Sequence, residues 1–416
     1  MKGGLFMANS EVNTKIKMTG PIRANDPLST PQLLVLGLQH AFTMFGATIL
    51  VPILTGLSVS VALFTAGIGT LWFHFVTKGK VPVFLGSSFA FIAPVAMVVG
   101  QQGIPAAQGG IIVAGFIYCV MALLVKLLGR EFMDRILPPV VTGPVIMVIG
   151  LNLAPVAIGS ASENWIIAII VLATAIIVNI YVKGFFRLIP VIISLAVGYV
   201  VSLMFGIVDL TPVQQAHWFA LPDFTWPVFD MAAIGLIAPV AVATMVEHVG
   251  DVLAVGATVE EDFVKDPGLP RTLIGDGIGT ALAGIFGGPA NTTYSENTGV
   301  LALTRVWKPA VMRVAAVMAI GLAMIQKLGG FIQSIPNPVI GGISIVLFGM
   351  IASIGVRTVV ENSVDFKKNR NLLIASVILV IGIGGAMVTI WGNLQFGGMG
   401  LAAIIGIILN QILPQD

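Results

Sequence analysis

The chain has 416 residues, 57% of them hydrophobic and 10% charged, with a formal net charge of +2 and a mean hydropathy of +1.00. A soluble domain carries about 25% charged residues, so this composition excludes an ordinary water-facing fold and points to a bilayer, where each helical span takes about 20 apolar residues. The single cysteine, Cys119, excludes an internal disulfide and, lying in an apolar run, reads as a small buried hydrophobe.

Residues 1–30 are polar and lack the apolar core of a cleavable signal peptide, so they are expected to form a cytoplasmic N-terminal segment. Fourteen hydrophobic segments follow, at approximately 33–56, 58–77, 81–99, 109–129, 137–157, 163–182, 188–207, 230–255, 272–287, 290–305, 309–329, 335–355, 371–391 and 397–413. Two of them, 81–99 and 290–305, are weak helices interrupted by Pro82, Gly86 and serines, or by Pro289, Asn291 and threonines. Lys and Arg concentrate in cytoplasmic loops. With the N-terminus inside, alternate loops hold Lys78 and Lys80, then Lys126, Arg130 and Arg135, then Lys183 and Arg187, and so on to Arg370; of the 21 basic residues only Lys327 falls outside. Both termini are then cytoplasmic. The loop 208–229 has no Lys or Arg and carries Trp218 and Trp226, which suits an outer interfacial belt.

The two halves echo each other. Gly67-Ile68-Gly69-Thr70 returns as Gly277-Ile278-Gly279-Thr280, Gln39-His40 as Glu247-His248, and Pro139-Val140-Val141-Thr142-Gly143 as Pro338-Val339-Ile340-Gly341-Gly342, with Gly150 matching Gly349. Three matches in order, each offset by about half the chain, point to an internal repeat. Seven spans per half, an odd number, force the second half to cross the membrane upside down, as in secondary transporters, whose solute site lies where corresponding helices are broken. The two weak segments correspond in this way. Half-helices meeting there aim free backbone N–H groups and positive dipole ends at a ligand, including an uncharged one with carbonyl oxygens.

Acids inside a membrane are costly and suggest function, and three stand out: Glu247, Asp251 and Glu296. Glu247 and Asp251 are four residues apart and share a helix face. One carboxylate is suited to accept N–H bonds from a ligand, another to take and release a proton. Asp276, near the cytoplasmic end of its segment, reads as a solvated or capping residue. His40 and His248 occupy equivalent repeat positions and are expected to orient nearby acids; one Cys and four His offer no metal site. His74 reads as interfacial and His217 as a loop residue. Phe89 and Tyr294 lie in the broken segments, where an aromatic ring is either core packing or a surface for a planar ligand. No Walker A and no HExxH motif occurs, which leaves neither ATP-driven transport nor zinc peptidase chemistry within the chain. The basic clusters flank membrane spans and give no support to nucleic-acid binding.

The run Glu296-Asn297-Thr298-Gly299-Val300-Leu301-Ala302-Leu303-Thr304-Arg305 resembles the signature of the nucleobase–ascorbate transporter (nucleobase–cation symporter-2) family, an acid or Gln followed by N-x-G-x-x-x-x-T-R. Gln39-His40 resembles its first-helix motif. Leu85-Gly86-Ser87-Ser88-Phe89-Ala90-Phe91, Glu247-His248-Val249-Gly250 and Asn291-Thr292-Thr293-Tyr294-Ser295-Glu296 are similar to its bacterial uracil:proton symporters. The resemblance spans roughly residues 33–410. It implies an all-α polytopic membrane protein of fourteen transmembrane segments, a seven-plus-seven inverted repeat with short β-strands at broken segments 3 and 10. It also implies a homodimer in the inner membrane, in which a core domain (31–135 and 229–333) moves like an elevator against a gate domain (136–228 and 334–416). Glu247 and Glu296 would accept hydrogen bonds from the ring N–H groups of uracil, and the backbone N–H groups of Phe89 and Ser295 would donate to its carbonyls. Ala47 would line the site, while Ser88, Tyr294, Asp251 and His248 would belong to the polar and proton-coupling network. No cofactor is implied; the coupling ion is a proton.

Three positions depart from that pattern: Asp251 stands where a His is expected, Phe348 replaces a gate Tyr, and Ser295 replaces a Gly. A purine permease of the same family is the near alternative, disfavoured by Glu296 where such members more often carry Gln. An anion transporter or channel of the same architecture is the remote one, since two acids would repel an anion.

Overall fold

The structure, a computed structural model, describes residues 20–391 and 394–414. Residues 1–19, most of the expected N-terminal segment, lie outside the described residues. In chain order, α1 (Thr30–Thr55), α2 (Val59–Val76), β1 (Leu85–Ser87), a 3-10 turn (Phe89–Phe91), α3 (Ile92–Gln102) and α4 (Ile104–Leu128) come first. Next are α5 (Arg130–Ile136), α6 (Pro139–Asn152), α7 (Ala154–Ser162), α8 (Trp165–Tyr181), α9 (Pro190–Met204) and α10 (Thr211–Gln215). The second half holds α11 (Met231–Ile237), α12 (Ala241–Val259), α13 (Leu269–Phe286), β2 (Asn291–Thr293), α14 (Ser295–Thr304), α15 (Pro309–Ala323) and α16 (Gln326–Gln333). It closes with α17 (Asn337–Glu361), α18 (Asn369–Ile383), β3 (Met387–Trp391), β4 (Leu394–Gly397) and α19 (Gly398–Ile412). Prolines open α1, α4, α6, α9, α13, α15 and α17 in their first turn, where the missing N–H has no helical acceptor to lose.

Among the described residues, six helices or continuous helix pairs can cross a membrane by length and composition: α1, α2, α4, α6–α7, α11–α12 and α17. The pair α15 and α16, bent by 79°, makes a seventh if counted as one span, and α8, α9, α18 and α19 are shorter apolar helices. Their sides show why the chain needs lipid. On α8, Ile167, Val171, Ala175 and Val178 are buried at helical spacing, while Ile166, Ile169, Ile177 and Ile180 are exposed. Such a face is unstable in water and at ease in hydrocarbon. The chain is a mostly helical, multi-pass membrane protein.

Packing sorts the helices into two groups. In one, α13 packs on α4 and α2, α15 on α2 and α1, and α11 on α4; in the other, α17 packs on α6, α7 and α8, α18 on α19 and α6, and α8 on α9. Glycines permit the closest crossings, as small residues do between membrane helices. A Cβ on Gly115 would lie 2.4 Å from the Gly277 carbonyl oxygen, and one on Gly150 would lie 2.4 Å from that of Phe348. Gly349, matched to Gly150 in the repeat, has nothing within 4 Å of such a Cβ, so these two are not equivalent in packing.

Strands stand at both weak segments. β1 and β2 pair antiparallel, with Leu85 opposite Thr293, Gly86 opposite Thr292 and Ser87 opposite Asn291. The repeated Gly-Ile-Gly-Thr strings hold them. Thr70 Oγ1 accepts from the Leu85 N–H at 2.8 Å, and Thr280 Oγ1 donates to the Asn291 carbonyl at 2.8 Å. Gly86 is required because any Cβ there would sit 2.4 Å from the Tyr294 ring. A second hairpin, β3–β4, was not anticipated from hydropathy. Its signal is present in the β-branched run Met387–Trp391 followed by Gly392-Asn393. His74, expected at the interface, is instead buried, with Nε2 2.9 Å from the Val83 carbonyl; it ties α2 to the chain entering β1. Cys119 is half-buried rather than fully enclosed, and His217 is an exposed loop residue as expected.

Candidate functional site

The strand pair brings two chain reversals side by side. After β1, Ser88 donates its N–H to the Ala290 carbonyl at 2.8 Å and the chain turns at Phe89 into α3. After β2, Tyr294 donates its N–H to the Phe84 carbonyl at 3.0 Å and α14 begins at Ser295. First-turn N–H groups have no intrahelical acceptor, and the dipole adds partial positive charge there. Ser295 and Glu296 are exposed although Tyr294 and Asn297 on either side are buried. They face a cavity of about 230 Å³. Thr43 and Ala47 of α1 form one wall of it, and Leu188, Val191, Ile343 and Leu347 close it from the other helix group. Binding pockets for drug-sized ligands run to about 300–1,000 Å³, so this one suits a small solute.

Asn297 anchors the start of α14: its Nδ2 lies 3.0 Å from His40 Nδ1 and donates to the His40 carbonyl at 3.2 Å. His40 therefore acts on the helix that carries Glu296. Facing α14 is α12, with Glu247 and Asp251 half-buried one turn apart. Glu247 stands within electrostatic reach of Glu296. Asp251 Oδ2 accepts from Thr293 Oγ1 at 2.8 Å, which fastens α12 to β2. Glu247, Asp251 and Glu296 are thus brought together.

Phe89 is half-buried, its ring 6.3 Å from that of Phe348 at an interplanar angle of 74°. Ser88 is fully buried, and its hydroxyl has no hydrogen-bond partner among the described residues. Tyr294 Oη donates to the Ser87 carbonyl at 2.9 Å and accepts from Thr48 Oγ1 at 3.3 Å. Ser87 Oγ in turn donates to the Thr48 carbonyl at 3.0 Å. The tyrosine locks the strand pair to α1.

His248 turns away from this cluster. Its Nδ1 lies 3.1 Å from Asp276 Oδ2, both side chains fully buried, off the line that a hydrogen bond requires. The Phe73 and Tyr118 rings flank it, and Tyr118 Oη donates to Thr244 Oγ1 at 2.7 Å. This corrects the reading of Asp276 as solvated: it stands on the buried face of α13 against α12, where a carboxylate needs a partner. Its glycine neighbours Gly275 and Gly277 were the available signal, since small residues on both sides mark a close helix crossing. Thr48, Thr293 and Asn297 had no assigned role; only the three-dimensional pairing reveals theirs. Among the described residues no group of three or more His, Cys, Asp or Glu could hold a metal ion.

A chain of apolar helices with two broken segments, three clustered acids and a small cavity between two helix groups defines a membrane transporter. The Permease family model (Xan_ur_permease) matches residues 31–390, and the chain belongs to that family. It is 48% identical to the uracil permease of Bacillus subtilis (strain 168), over 91% of this chain and 92% of that one. Against the uracil permease of Bacillus caldolyticus it is 47% identical, over 92% of each, and against that of Escherichia coli (strain K12) 44%, over 92% of this chain and 91% of the other. These relatives are permeases, transporters rather than enzymes. Solved structures share the fold at low identity. The transmembrane domain of a cyanobacterium bicarbonate transporter, BicA, has a TM-score of 0.62 at 16% identity, covering 91% of this chain and 96% of that one. The murine anion transporter Solute Carrier 26 family member A9 has a TM-score of 0.68 at 11% identity, covering 91% and 67%.

Proposed function

We propose that the chain imports uracil across the inner membrane by proton symport, through fourteen spans arranged as a seven-plus-seven inverted repeat with both termini cytoplasmic. The observation that carries the reading is Glu296, placed with Ser295 at the start of α14, facing a small cavity walled by both helix groups and opposed by Glu247 on α12. Uracil offers two ring N–H donors and two carbonyl acceptors. Glu247 and Glu296 accept the donors; the backbone N–H groups of Phe89 and Ser295 serve the acceptors. Ala47 lines the cavity, and the Phe89 ring covers the base. Asp251 takes the coupling proton, within a network that includes Ser88 and Tyr294. His248, paired with Asp276, holds α12 in place.

The group containing α1–α4 and α11–α15 is the core, residues 31–135 and 229–333; the group containing α6–α9 and α17–α19 is the gate, residues 136–228 and 334–416. The core slides as an elevator against the gate, carrying the site with it, and the protein works in lipid as a homodimer. High identity to three uracil permeases supports the substrate. The test is radiolabelled uracil uptake into proteoliposomes under an inward proton gradient, with unlabelled uracil, xanthine and guanine as competitors. Uracil alone should compete, and collapse of the gradient should stop accumulation. Competition by xanthine but not by uracil replaces this reading with the purine one; conductance indifferent to protons replaces it with a channel.

A further inference from the structure

The half-helix α14 is held weakly by its own packing: only Asn297, Val300 and Leu301 are buried among its ten residues. Its N-terminal end is fixed by β2 and by His40. Its C-terminal end stops at Arg305, in the left-handed region at φ 52, and α12 likewise stops at Glu260, at φ 57. One short segment, residues 20–26, reaches both ends. Ile22 bridges Val306 in parallel fashion, its N–H donating to the Arg305 carbonyl and its carbonyl accepting from the Trp307 N–H, each at 2.8 Å. Lys308 Nζ donates to the carbonyls of Ala24 and Asp26, both at 2.8 Å. Arg23 joins the two helices. Its guanidinium donates to Glu260 Oε2 at 2.9 Å and lies 5.3 Å from the centre of the Trp307 ring. The local turn that presents it is closed by Asp26, whose Oδ2 accepts from the Arg23 N–H at 2.7 Å.

We infer that residues 20–26 are a clamp on the cytoplasmic ends of α12 and α14, and that Arg23 is a positioning residue for the ligand site. Arg305 lies nine residues after Glu296, about 14 Å at 1.5 Å per residue. A rigid helix transmits a displacement over that distance. Freeing its lower end lets α14 pivot on its strand, which changes the gap between Glu296 and Glu247, the one dimension a small ring must match. Each contact alone is modest, because an exposed ion pair and an exposed cation–π contact are weak. Their placement at the end of a short helix that β2 and His40 do not hold gives them leverage.

The uracil arm of the test rests on the function proposed above; the exchange arm does not. Hydrogen–deuterium exchange is followed on the full chain in detergent without ligand, for wild type, Arg23→Ala, Arg23→Lys and Glu260→Gln. Amides of residues 299–305 should exchange about three- to tenfold faster in Arg23→Ala and in Glu260→Gln, as expected when a weakly held end opens more often. Arg23→Lys keeps a cation for Glu260 and Trp307 and should lie near wild type. Titration with uracil should show Kd raised about three- to tenfold in Arg23→Ala and recovered in Arg23→Lys. Unchanged exchange in both Arg23→Ala and Glu260→Gln, or Arg23→Lys as fast as Arg23→Ala, overturns the clamp. Faster exchange with an unaltered Kd overturns the positioning role. A wild type that binds no uracil overturns the functional reading, and the exchange data still judge the clamp.

Discussion

Replacing Glu296 by Gln keeps the shape of the side chain and removes its charge, so it isolates what the carboxylate does. Glu296 lies in the first turn of α14 and lines the cavity, beside the first-turn N–H groups. A hydrogen bond to a charged group contributes about 1.5–3 kcal/mol, against about 0.5–1.5 for a neutral one. Losing the charge therefore costs about 1–2 kcal/mol, and the new amide N–H₂ is a donor pointed where ligand N–H groups arrive. Repulsion between donors adds roughly another 1 kcal/mol. The sum, about 2–3 kcal/mol, raises the uracil Kd by about 30- to 150-fold, since 1.4 kcal/mol is tenfold. Isothermal titration of purified wild type and variant reads this directly. Wild-type affinity in Glu296→Gln removes the residue from the site and, with it, the opposed-carboxylate argument.

Three further perturbations test other parts of the arrangement. Asp251→Asn keeps a partner for Thr293 Oγ1 while removing a titrating group; pH-jump uptake should fall at least about tenfold while Kd stays within about threefold. Equal losses in both would make Asp251 a binding residue. Asp276→Ala or His248→Ala leaves one member of a fully buried pair without its neighbour, and a buried polar group left unpaired costs about 1–3 kcal/mol. Thermal unfolding should shift down markedly for each single variant; an unshifted midpoint would show that the pair carries no stability. Phe348→Tyr puts a hydroxyl beside the Phe89 ring; one added hydrogen bond, about 0.5–1.5 kcal/mol, should tighten uracil binding about two- to tenfold. A Kd unchanged or raised would place Phe348 outside the site.

The large features were legible because they follow from local chemistry. Apolar runs mark helices, and Pro82 with Gly86, or Pro289 with Asn291, mark where a helix cannot continue. Glu247 and Glu296 stood out because an acid among apolar residues needs a reason. The missed features depend on partners far along the chain. Asp276 looked solvated because only its distance from the segment end could be read; its contact with His248 is set by how α12 crosses α13. His74 looked interfacial for the same reason, yet its acceptor is the Val83 carbonyl. Hydropathy also overlooked β3–β4, since an apolar β-branched run scores like a helix until its pairing with β4 is seen. The role of Arg23 was out of reach, because a basic residue before the first span counts only as a topology signal until Glu260 and Trp307 are seen beside it.

A second cavity bears on how such a site is reached from two sides. About 210 Å³ in volume and mostly apolar, it lies between α3 (Ala93, Met97), α6 (Ile149), α11 (Leu236), the end of α18 (Gly382) and α19 (Met399). The cavity at Glu296 lies between α14, α17, α1, the end of α8 (Asn179) and the start of α9 (Val191). By their order along the two halves, α1 corresponds to α11–α12, α3 to α14, α6 to α17, α8 to α18 and α9 to α19. Each wall of one cavity then maps onto a wall of the other. Both lie on the seam between the two helix groups, an arrangement consistent with the inverted repeat proposed above, in which each half builds one approach to a shared centre. The exchange of walls is not an exchange of chemistry: Ser295 and Glu296 line the first cavity, whereas the chain at the start of α3 offers the second Ala90, Ala93 and Pro94. On the function proposed above, such symmetry would supply two routes, while Glu296 on α14 would mark the single place where a polar ring is held.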